Sequence, residues 1–503
     1  MDLAAWITTP DATALLAPLA VFVRPSGPSA AARESTASAA VRAESAAASA
    51  DSVQIILDEA RGRQTFLGCG ASLTESSASL LARLPVIERE AALTQLFSVR
   101  MGIGLSVLRQ PIGSSAFVAG TRYYTYDDMP SGQTDFRLEY FSIERDEAQI
   151  LPLLRRALSI NPELRVIGTP WSAPAWMKTN GSLVGGELID SPRYYEAYAG
   201  YLAAFLRAYE AAGVPIYALT LQNEPQNRNP DVPGMHLGVE QARRLIHALG
   251  PVLRDRGLDT RILAYDHNWA MHPDDLAAAP PDSATEADYP FALLADPETA
   301  PWVAGTAFHC YFGDASAQSA LHERFPDKDI YFTECSGSRG SADSDAKAFS
   351  DTLRWHARNV VIGATRNWAR TVVTWNLALD PSGGPHANGY TDFSGLVTVE
   401  DDGRITPNAE YYALAHLSRF VRPGALCVHS DAVGEGSEDV AAVAFRNPDG
   451  GSVVLVHNES ERERSIDVCR RASQDAGGDG TTTATVALPP GALVTVVMQS
   501  AAY

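Results

Sequence analysis

The stretch Ile216–Pro225, with the sequence IYALTLQNEP, combines a buried strand with a carboxylate at its end. Residues 216–221 are mostly apolar, which is typical of a buried strand, and the polar pair Asn223 and Glu224 follows where that strand should emerge. A charged side chain at the mouth of a buried strand costs free energy, so its presence there indicates a function. The pattern makes Glu224 a candidate catalytic carboxylate, and the alternative is an acid exposed at a strand end.

Similar runs recur along the chain. Apolar, β-branched segments that end in polar, aromatic or glycine residues occur eight times, as TFLGCGASLTES, IGLSVLRQPIGS, RVIGTPWSAP, IYALTLQNEP, RILAYDHNW, VAGTAFHCYF, IYFTECSG and TVVTWNLALD. Most gaps between them have helical periodicity, as in Ile143–Ser159, Tyr194–Ala212, Val239–Arg256 and Ala346–Ile362. Strands that alternate with helices in this way predict an α/β protein with a (β/α)8 TIM barrel, whose reactive groups collect at the carboxyl ends of the strands.

The composition changes on both sides of this repeat. Six short alternating segments, from ALCVHSD to ALVTVVMQS, predict a β-sandwich, and we expect N-terminal strands to complete it. We therefore assign residues 1–64 to an N-terminal segment that contributes to the side sandwich, residues 65–420 to the catalytic barrel and residues 421–503 to the C-terminal sandwich. Residues 26–49 are rich in Ala and Ser and predict a surface connection.

Composition and charge narrow the class of partner. A chain of 503 residues, 46% hydrophobic and 20% charged, is typical of a soluble globular protein with a large domain and a smaller one. The net charge of −20 repels a phosphate backbone or an anionic membrane surface. We therefore expect a neutral ligand such as a carbohydrate, and no nucleic acid. The oligomeric state is left open.

The cysteines and the N-terminus bear on the compartment. Five widely spaced cysteines without a CxxC pair argue against a disulfide framework and a structural zinc site, and they fit a reducing compartment. The start MDLAAWITTPDATALL has no basic region, so we expect no signal peptide. No stretch approaches the roughly 20 apolar residues of a membrane span. These features predict a cytoplasmic protein without stable membrane insertion.

A second carboxylate matches the first. Glu334 ends the seventh run, in IYFTECSG, and Glu224 ends the fourth, 110 residues earlier. That separation fits three βα repeats of roughly 30–40 residues each. Strands four and seven face one another across a barrel mouth, so both side chains can converge on one substrate. Two opposed carboxylates about 5–5.5 Å apart are what retaining glycoside hydrolysis requires.

At these residues the chain resembles glycoside hydrolase family 30, the glucosylceramidase-like enzymes. The resemblance runs in order through GCGASLTES, RQPIGSSAF, TPWSAPAWMKTNGSL, LTLQNEP, FHCY, FTECSG and TWNLALDPSGGP. It implies that Glu224, in QNEP, is the acid/base and that Glu334, in TEC, is the nucleophile. It also implies a residue that binds sugar hydroxyls at the position of Glu75, in SLTES, where the family usually has aspartate.

Further candidates lie at other strand ends. Asn223 is placed to hydrogen-bond the sugar 2-hydroxyl, or else it caps the strand. His309 and Tyr311 share a face at the end of the sixth run, where Tyr311 can donate to Glu334 and keep it ionised. For His309 the alternative is a structural residue with satisfied hydrogen bonds.

The aromatic candidates are Trp171 and Trp375, which can form an apolar floor and wall for a sugar ring, whereas Trp176 is as easily explained by packing.

Asn376 is a candidate substrate ligand or a strand cap. Arg109 is interpreted as a charge partner that steadies the carboxylates. The segment after GGP adds the candidate substrate contacts His386, Asn388 and Tyr390.

Together these features predict a retaining β-glycoside hydrolase, a β-glucosidase or glucosylceramidase-like enzyme, that works by double displacement without a metal or organic cofactor. The alternatives are a β-1,6-glucanase, a β-xylosidase or β-fucosidase of the same family, and a non-catalytic carbohydrate-binding barrel. Because Glu224 has to donate a proton first, we expect its pKa to lie above that of Glu334.

Overall fold

A computed structural model describes most of the chain. The described residues are 3–24, 52–278, 288–338, 343–387, 390–471 and 481–499. The predicted surface connection at residues 26–49 lies outside these ranges. No helix within them is long and apolar enough to cross a membrane.

The chain divides into two compact units. The barrel unit comprises Gly68–Ser341 and Asn367–Tyr411, and the sandwich unit comprises Met1–Leu67, Ala342–Arg366 and Tyr412–Tyr503. The helical stretch that precedes the last barrel strand therefore groups with the sandwich unit. The sequence-based boundaries at residues 64 and 420 stay a prediction.

The N-terminal part of the sandwich unit supplies four strands. These are β1 (Leu3–Thr8), β2 (Ala17–Leu19), β3 (Phe22–Arg24) and β4 (Ser52–Thr65).

The barrel unit contains eight parallel strands, one from each of the predicted runs. They are β5 (Gly68–Ser72), β6 (Val107–Ile112), β7 (Arg165–Pro170), β8 (Ile216–Thr220), β9 (Arg261–Asn268), β10 (Val303–His309), β11 (Asp329–Glu334) and β12 (Ala369–Asn376). They pair in chain order, and β12 pairs with β5 to close the barrel. The predicted TIM barrel is confirmed.

The helices lie mainly between these strands, as the periodicity predicts. They are α1 (Glu75–Arg83), α2 (Val86–Phe97), α3 (Ile150–Ile160), α4 (Pro192–Ala211), α5 (Val239–Asp255), α6 (Pro273–Ala278), α7 (Tyr289–Ala295), α8 (Ser316–Arg324), α9 (Asp345–Trp355) and α10 (Ala409–Ser418), with short 3-10 helices at Glu144–Ala148, Ala175–Met177, Ala300–Trp302 and Ser437–Asp439. A π-helix, His356–Ala364, continues α9. The helix predicted from Ile143 begins later, at Ile150, because its first turn is 3-10.

After β12 the barrel unit adds a small sheet of β13 (Ala378–Leu379), β14 (Val397–Val399) and β15 (Ile405–Pro407). All six predicted C-terminal strands are present in the sandwich unit, as β16 (Leu426–Val433), β17 (Val440–Arg446), β18 (Ser452–Asn458), β19 (Arg464–Arg471), β20 (Thr481–Leu488) and β21 (Leu493–Met498).

The N-terminal strands complete this sandwich, as predicted. Strand β1 pairs with β21, and β4 lies between β16 and β19. Alternate residues of these strands, among them Ile55, Val454 and Val494, are fully buried in one apolar core. Burial of each such side chain stabilises the fold by roughly 1.5–3 kcal/mol, so the N-terminal strands are held by packing as well as by backbone hydrogen bonds.

The first two barrel strands approach each other closely at Gly70. A Cβ atom at this position would lie 1.7 Å from the backbone oxygen of Val107. We expect Gly70→Ala to lower the midpoint of thermal unfolding, because overpacking costs about 1–3 kcal/mol and a backbone carbonyl has little room to move. The control is Gly120→Ala, where the nearest atom to the added Cβ is an arginine nitrogen at 3.7 Å. Equal melting temperatures of the two variants, measured by calorimetry, would contradict this reading.

Candidate active site

A cleft of about 750 Å³ opens at the carboxyl ends of the barrel strands. Residues at the ends of seven strands, β6 to β12, or in the loops that follow them, line it. Glu224 and Glu334 both belong to this lining. The placement agrees with the general rule that the reactive groups of a TIM barrel lie at this face.

The two glutamates are close together. One oxygen of Glu224, one of Glu334 and a ring nitrogen of His309 lie within 4.8 Å of one another. Inverting glycosidases need carboxyl groups about 6.5–9.5 Å apart so that a water fits between them, whereas retaining enzymes need about 5–5.5 Å. The spacing fits retention.

The backbone at Glu224 is unusual. Its φ is +47°, in the left-handed region that non-glycine residues rarely adopt, and its amide donates to the backbone oxygen of Asp266 at 3.0 Å. Asn227 Nδ2 donates to Glu224 Oε2 at 2.7 Å, and His309 Nδ1 lies 3.1 Å from Glu224 Oε1. Side-chain contacts on both oxygens thus fix the carboxylate. The sequence did not single out Asn227, although it stands only three residues after Glu224.

Glu334, the last residue of β11, is held from two sides. Arg109, in β6, forms an ion pair with Oε2, and the Tyr311 hydroxyl donates to Oε1 at 3.0 Å. These are the contacts that the sequence predicted for Arg109 and Tyr311. Both partners favour the ionised form of Glu334 and restrict its orientation.

Asp266, in β9, is buried outside the cleft lining and contacts the residues that hold the two glutamates. It accepts hydrogen bonds from Arg109 at 3.0 Å, from His309 Nε2 at 3.0 Å and from Thr333 at 2.6 Å. Asp266 was not among the residues predicted from the sequence. Its position in the run RILAYDHNW, where polar residues begin near the end of a strand, is the same signal that identified Glu224.

His309 carries a proton at neutral pH in this setting. Burial disfavours the imidazolium, but the charges of Glu334 and Asp266 and the hydrogen bonds with Asp266 and Glu224 outweigh it and raise the pKa of His309 to about 9. Both ring nitrogens therefore donate. Asp266 is fully buried, yet the Arg109 and His309 charges hold its pKa below the usual range.

The expected order of the two glutamate pKa values is wrong. Burial raises the pKa of a carboxyl, but the hydrogen bonds from His309 and Asn227 bring the pKa of Glu224 down to about 2. Burial raises the pKa of Glu334, against the charges of His309 and Arg109. The reason is that the neighbouring His309, whose own pKa is raised, stabilises the ionised form of Glu224, which a motif does not reveal.

The predicted tryptophans form one wall of the cleft. The rings of Trp171 and Trp375 stack with centroids 5.1 Å apart, and the guanidinium of Arg109 lies 4.9 Å from the Trp171 centroid. Phe117 contacts Trp375 edge-on. Trp176 instead donates to the backbone oxygen of Asp127 outside the cleft lining, so packing explains it.

Other predicted residues are distributed between the cleft and its surroundings. Asn223 lines the cleft and accepts from Arg109 at 2.7 Å through Oδ1, which leaves its NH2 group as the potential donor to substrate. His309 lies fully buried behind the lining. Tyr390 lines the cleft and accepts a hydrogen bond from Asn229. Asn388 lies outside the described residues.

Glu75, Asn376 and His386 do not line the cleft. Glu75 is the first residue of α1 and pairs with Arg145 at 3.2 Å. Asn376 accepts from Thr74, the residue that caps α1. The residue at the family position inferred for Glu75 is thus paired with Arg145 outside the cleft lining, and its role as a sugar ligand stays a prediction.

The cysteine-based prediction is wrong for one pair. Cys310 and Cys335 form a disulfide between the ends of β10 and β11, and Cys69, Cys427 and Cys469 are not part of it. A separation of 25 positions hides the pairing in the sequence, and only the parallel pairing of β10 with β11 brings the two cysteines together. The cytoplasmic location stays a prediction, and this bond argues against it because disulfides persist in oxidising compartments.

Glu224, His309 and Glu334 also form the group of potential metal ligands that we find among the described residues. Each of them already has hydrogen-bond or ion-pair partners within the protein. Such an arrangement suits proton transfer better than metal binding. The absence of a metal requirement stays a prediction.

Comparisons with known proteins agree with this geometry. The family model described as the glycosyl hydrolase family 30 TIM-barrel domain matches residues 66–421, and that of the family 30 β-sandwich domain matches residues 424–496. An endo-1,6-β-D-glucanase from Neurospora crassa is 32% identical over 81% of this chain and 81% of its own length. The mouse lysosomal acid glucosylceramidase is 29% identical over 80% of this chain and 76% of its own length.

A solved structure titled the endo-β1,6-glucanase BT3312 superposes with a TM-score of 0.83 at 29% identity and covers 99% of this chain and 100% of its own. The family matches span almost the whole of the barrel and the sandwich, and the carboxylate pair has the spacing that retention requires. The protein is therefore a member of glycoside hydrolase family 30 and a retaining glycosidase.

Proposed function

We propose that this glycosidase hydrolyses β-1,6-glucan, with Glu334 as the nucleophile and Glu224 as the acid/base. The observation that carries the proposal is the polar lining of the cleft beyond Glu224. The named β-1,6-glucanases among its relatives support the same substrate.

The polar lining lies on the side of the leaving group. An acid/base protonates the leaving oxygen, so the departing part of the substrate rests near Glu224. There the cleft is lined by Asn227–Asp231, which follows β8, and by His272, Asp274 and Asp275 at the start of α6. These groups can hydrogen-bond a second sugar. An apolar ceramide would leave them without hydrogen-bond partners, which costs free energy.

The reaction needs two displacements. Glu334 attacks the anomeric carbon and forms an ester, while the bond to the leaving oxygen breaks and that oxygen takes a proton from Glu224. In the second step Glu224 removes a proton from water, the resulting hydroxide attacks the anomeric carbon, and Glu334 leaves as a carboxylate. The free NH2 of Asn223 would bind the 2-hydroxyl, and Trp375 with Trp171 would pack against the sugar ring.

The proton for the first step comes from the pair of His309 and Glu224. In the free enzyme it resides on His309, whose Nδ1 is 3.1 Å from Glu224 Oε1. When Glu334 forms the ester it loses the negative charge that helps to hold the proton on His309. The imidazole then gives up its proton to Glu224 as Glu224 protonates the leaving oxygen. The second step returns the proton to the pair.

The pH dependence of kcat/KM follows from these two groups. Activity should fall on the acidic side as Glu334 becomes protonated, at a pH above the usual range of a glutamate because its pKa is raised. It should fall on the alkaline side near pH 9, where His309 loses its proton. In His309→Asn the proton has to stay on Glu224 alone, so the alkaline limb should move to lower pH and kcat/KM should drop about 10²-fold at neutral pH.

The matched control for this pH profile is His267→Asn. His267 is a buried neighbour of His309, but burial lowers its pKa to about 4, so it is neutral at pH 7. The alkaline limb should therefore remain in place. An unchanged alkaline limb in His309→Asn, or an equal shift in both variants, would contradict the proton-sharing pair.

A substrate panel tests the proposed specificity. We expect kcat/KM for β-1,6-glucan to exceed that for glucosylceramide, β-xylosides and β-fucosides by at least ~10²-fold, since a polar leaving-group side discriminates by unpaired hydrogen bonds. The first sugar released, observed by NMR, should be the β-anomer. Preference for glucosylceramide or for a β-xyloside would overturn the proposal.

The variant His272→Ala provides an internal control for that panel. It should raise KM for β-1,6-glucan and leave the hydrolysis of β-glucosyl fluoride unchanged, because fluoride is too small to reach this part of the cleft. Equal losses on both substrates would mean that His272 acts on the fold or on the catalytic centre instead.

A further inference from the structure

The disulfide between Cys310 and Cys335 lies directly beside the proposed nucleophile. Cys335 follows Glu334 in the chain, and Cys310 stands between His309 and Tyr311. The Cα atoms are 5.4 Å apart, and both cysteines are buried. The bond therefore joins the strand end that carries Glu334 to the strand end that carries His309 and Tyr311.

The strand pairing is irregular at this point. Strands β10 and β11 pair in register up to Phe308 and Phe332, and then the register shifts so that His309 faces Glu334. The extra residue on β11 is Thr333, whose side chain donates to Asp266 at 2.6 Å. A bulge disrupts the ladder locally and re-aims side chains. Regular backbone hydrogen bonds alone thus do not fix the position of Glu334 relative to β10.

The disulfide restores a link immediately after the bulge. It connects Cys335 to β10, and the Cys335 backbone oxygen accepts from the Trp375 amide of β12 at 2.6 Å. Cys335 is thereby tied to both neighbouring strands. On the other side, Tyr311 is held through its amide to Asn268 at 3.1 Å and through its hydroxyl to Glu334 at 3.0 Å.

We propose that the Cys310–Cys335 disulfide is a positioning element of the active site, which keeps Glu334 aligned with Tyr311 and His309 across the bulge between β10 and β11. This inference rests on the proposed role of Glu334 as the nucleophile. A displacement of about 1 Å at a reacting group can cost about 10²-fold in rate. Loss of the bond should therefore reduce turnover without preventing the barrel from folding.

The test compares Cys310→Ala/Cys335→Ala with wild type on an aryl β-glucoside. Active sites are titrated with a slow 2-fluoro glycoside so that rates refer to folded enzyme only. We expect kcat per titrated site to fall about 10- to 100-fold and KM to change less than about 3-fold. The acidic limb of the pH profile should move, because Tyr311 no longer holds Glu334 in place. The control is Cys427→Ala, which removes a buried free thiol from the sandwich unit. It should retain the wild-type rate.

If the double variant does not fold, the wild type is treated with a phosphine under native conditions, and the reduced cysteines are counted by alkylation and mass spectrometry. Activity should then fall in proportion to the reduced fraction of the Cys310–Cys335 pair and return on reoxidation. Wild-type turnover per site without the bond, in either experiment, overturns the inference. A wild type that hydrolyses no β-glycoside would instead refute the proposed function, so the two failures are distinguishable.

Discussion

The active site depends on how five buried charges are balanced at the mouth of the barrel. Two cations, Arg109 and protonated His309, lie among the three carboxylates of Asp266, Glu224 and Glu334. A buried charge without a partner is strongly destabilising, so each carboxylate needs a cation or several donors. Asp266 contacts both cations and thereby fixes their positions. The geometry of Glu224 and Glu334 follows from this shared buried partner.

The barrel is what makes such a cluster possible. Its members come from β6, the end of β8, β9, β10 and β11, which are far apart in the chain but belong to one closed sheet. Parallel strands place all their carboxyl ends at one face, and no local element could assemble the same groups. Polar residues are consequently tolerated inside strands that otherwise contribute to the core, as for the fully buried Arg109 in β6.

The pKa values of Glu224, Glu334, Asp266 and His309 depend on one another. Glu334 and Asp266 raise the pKa of His309, so an imidazolium is stabilised beside Glu224, the proposed acid/base. Coupled sites titrate together, so the assignment of the acid to Glu224 alone is incomplete. In the proposed mechanism, formation of the ester at Glu334 removes a negative charge that stabilises the imidazolium of His309. The two halves of the reaction are thereby connected through electrostatics.

Much of this could be predicted from the sequence. Eight periodic runs were sufficient to predict the barrel. Polar residues at strand ends identified Glu224 and Glu334 as candidates, because the number of a strand in the chain fixes its position around the barrel. Asp266 and the Cys310–Cys335 bond were missed, since both depend on contacts between different strands. The role inferred for Glu75 stays a prediction, since its ion pair with Arg145 joins two segments that the motif does not connect.

The most direct test of the central claim is to trap the covalent intermediate. A 2-deoxy-2-fluoro-β-glucoside with a good leaving group should form an ester that hydrolyses slowly, and proteolysis with mass spectrometry then locates the sugar. The account predicts a single label on the peptide that contains Glu334, and none in Glu334→Gln. A label on another carboxylate would contradict the assignment of Glu334 as the nucleophile.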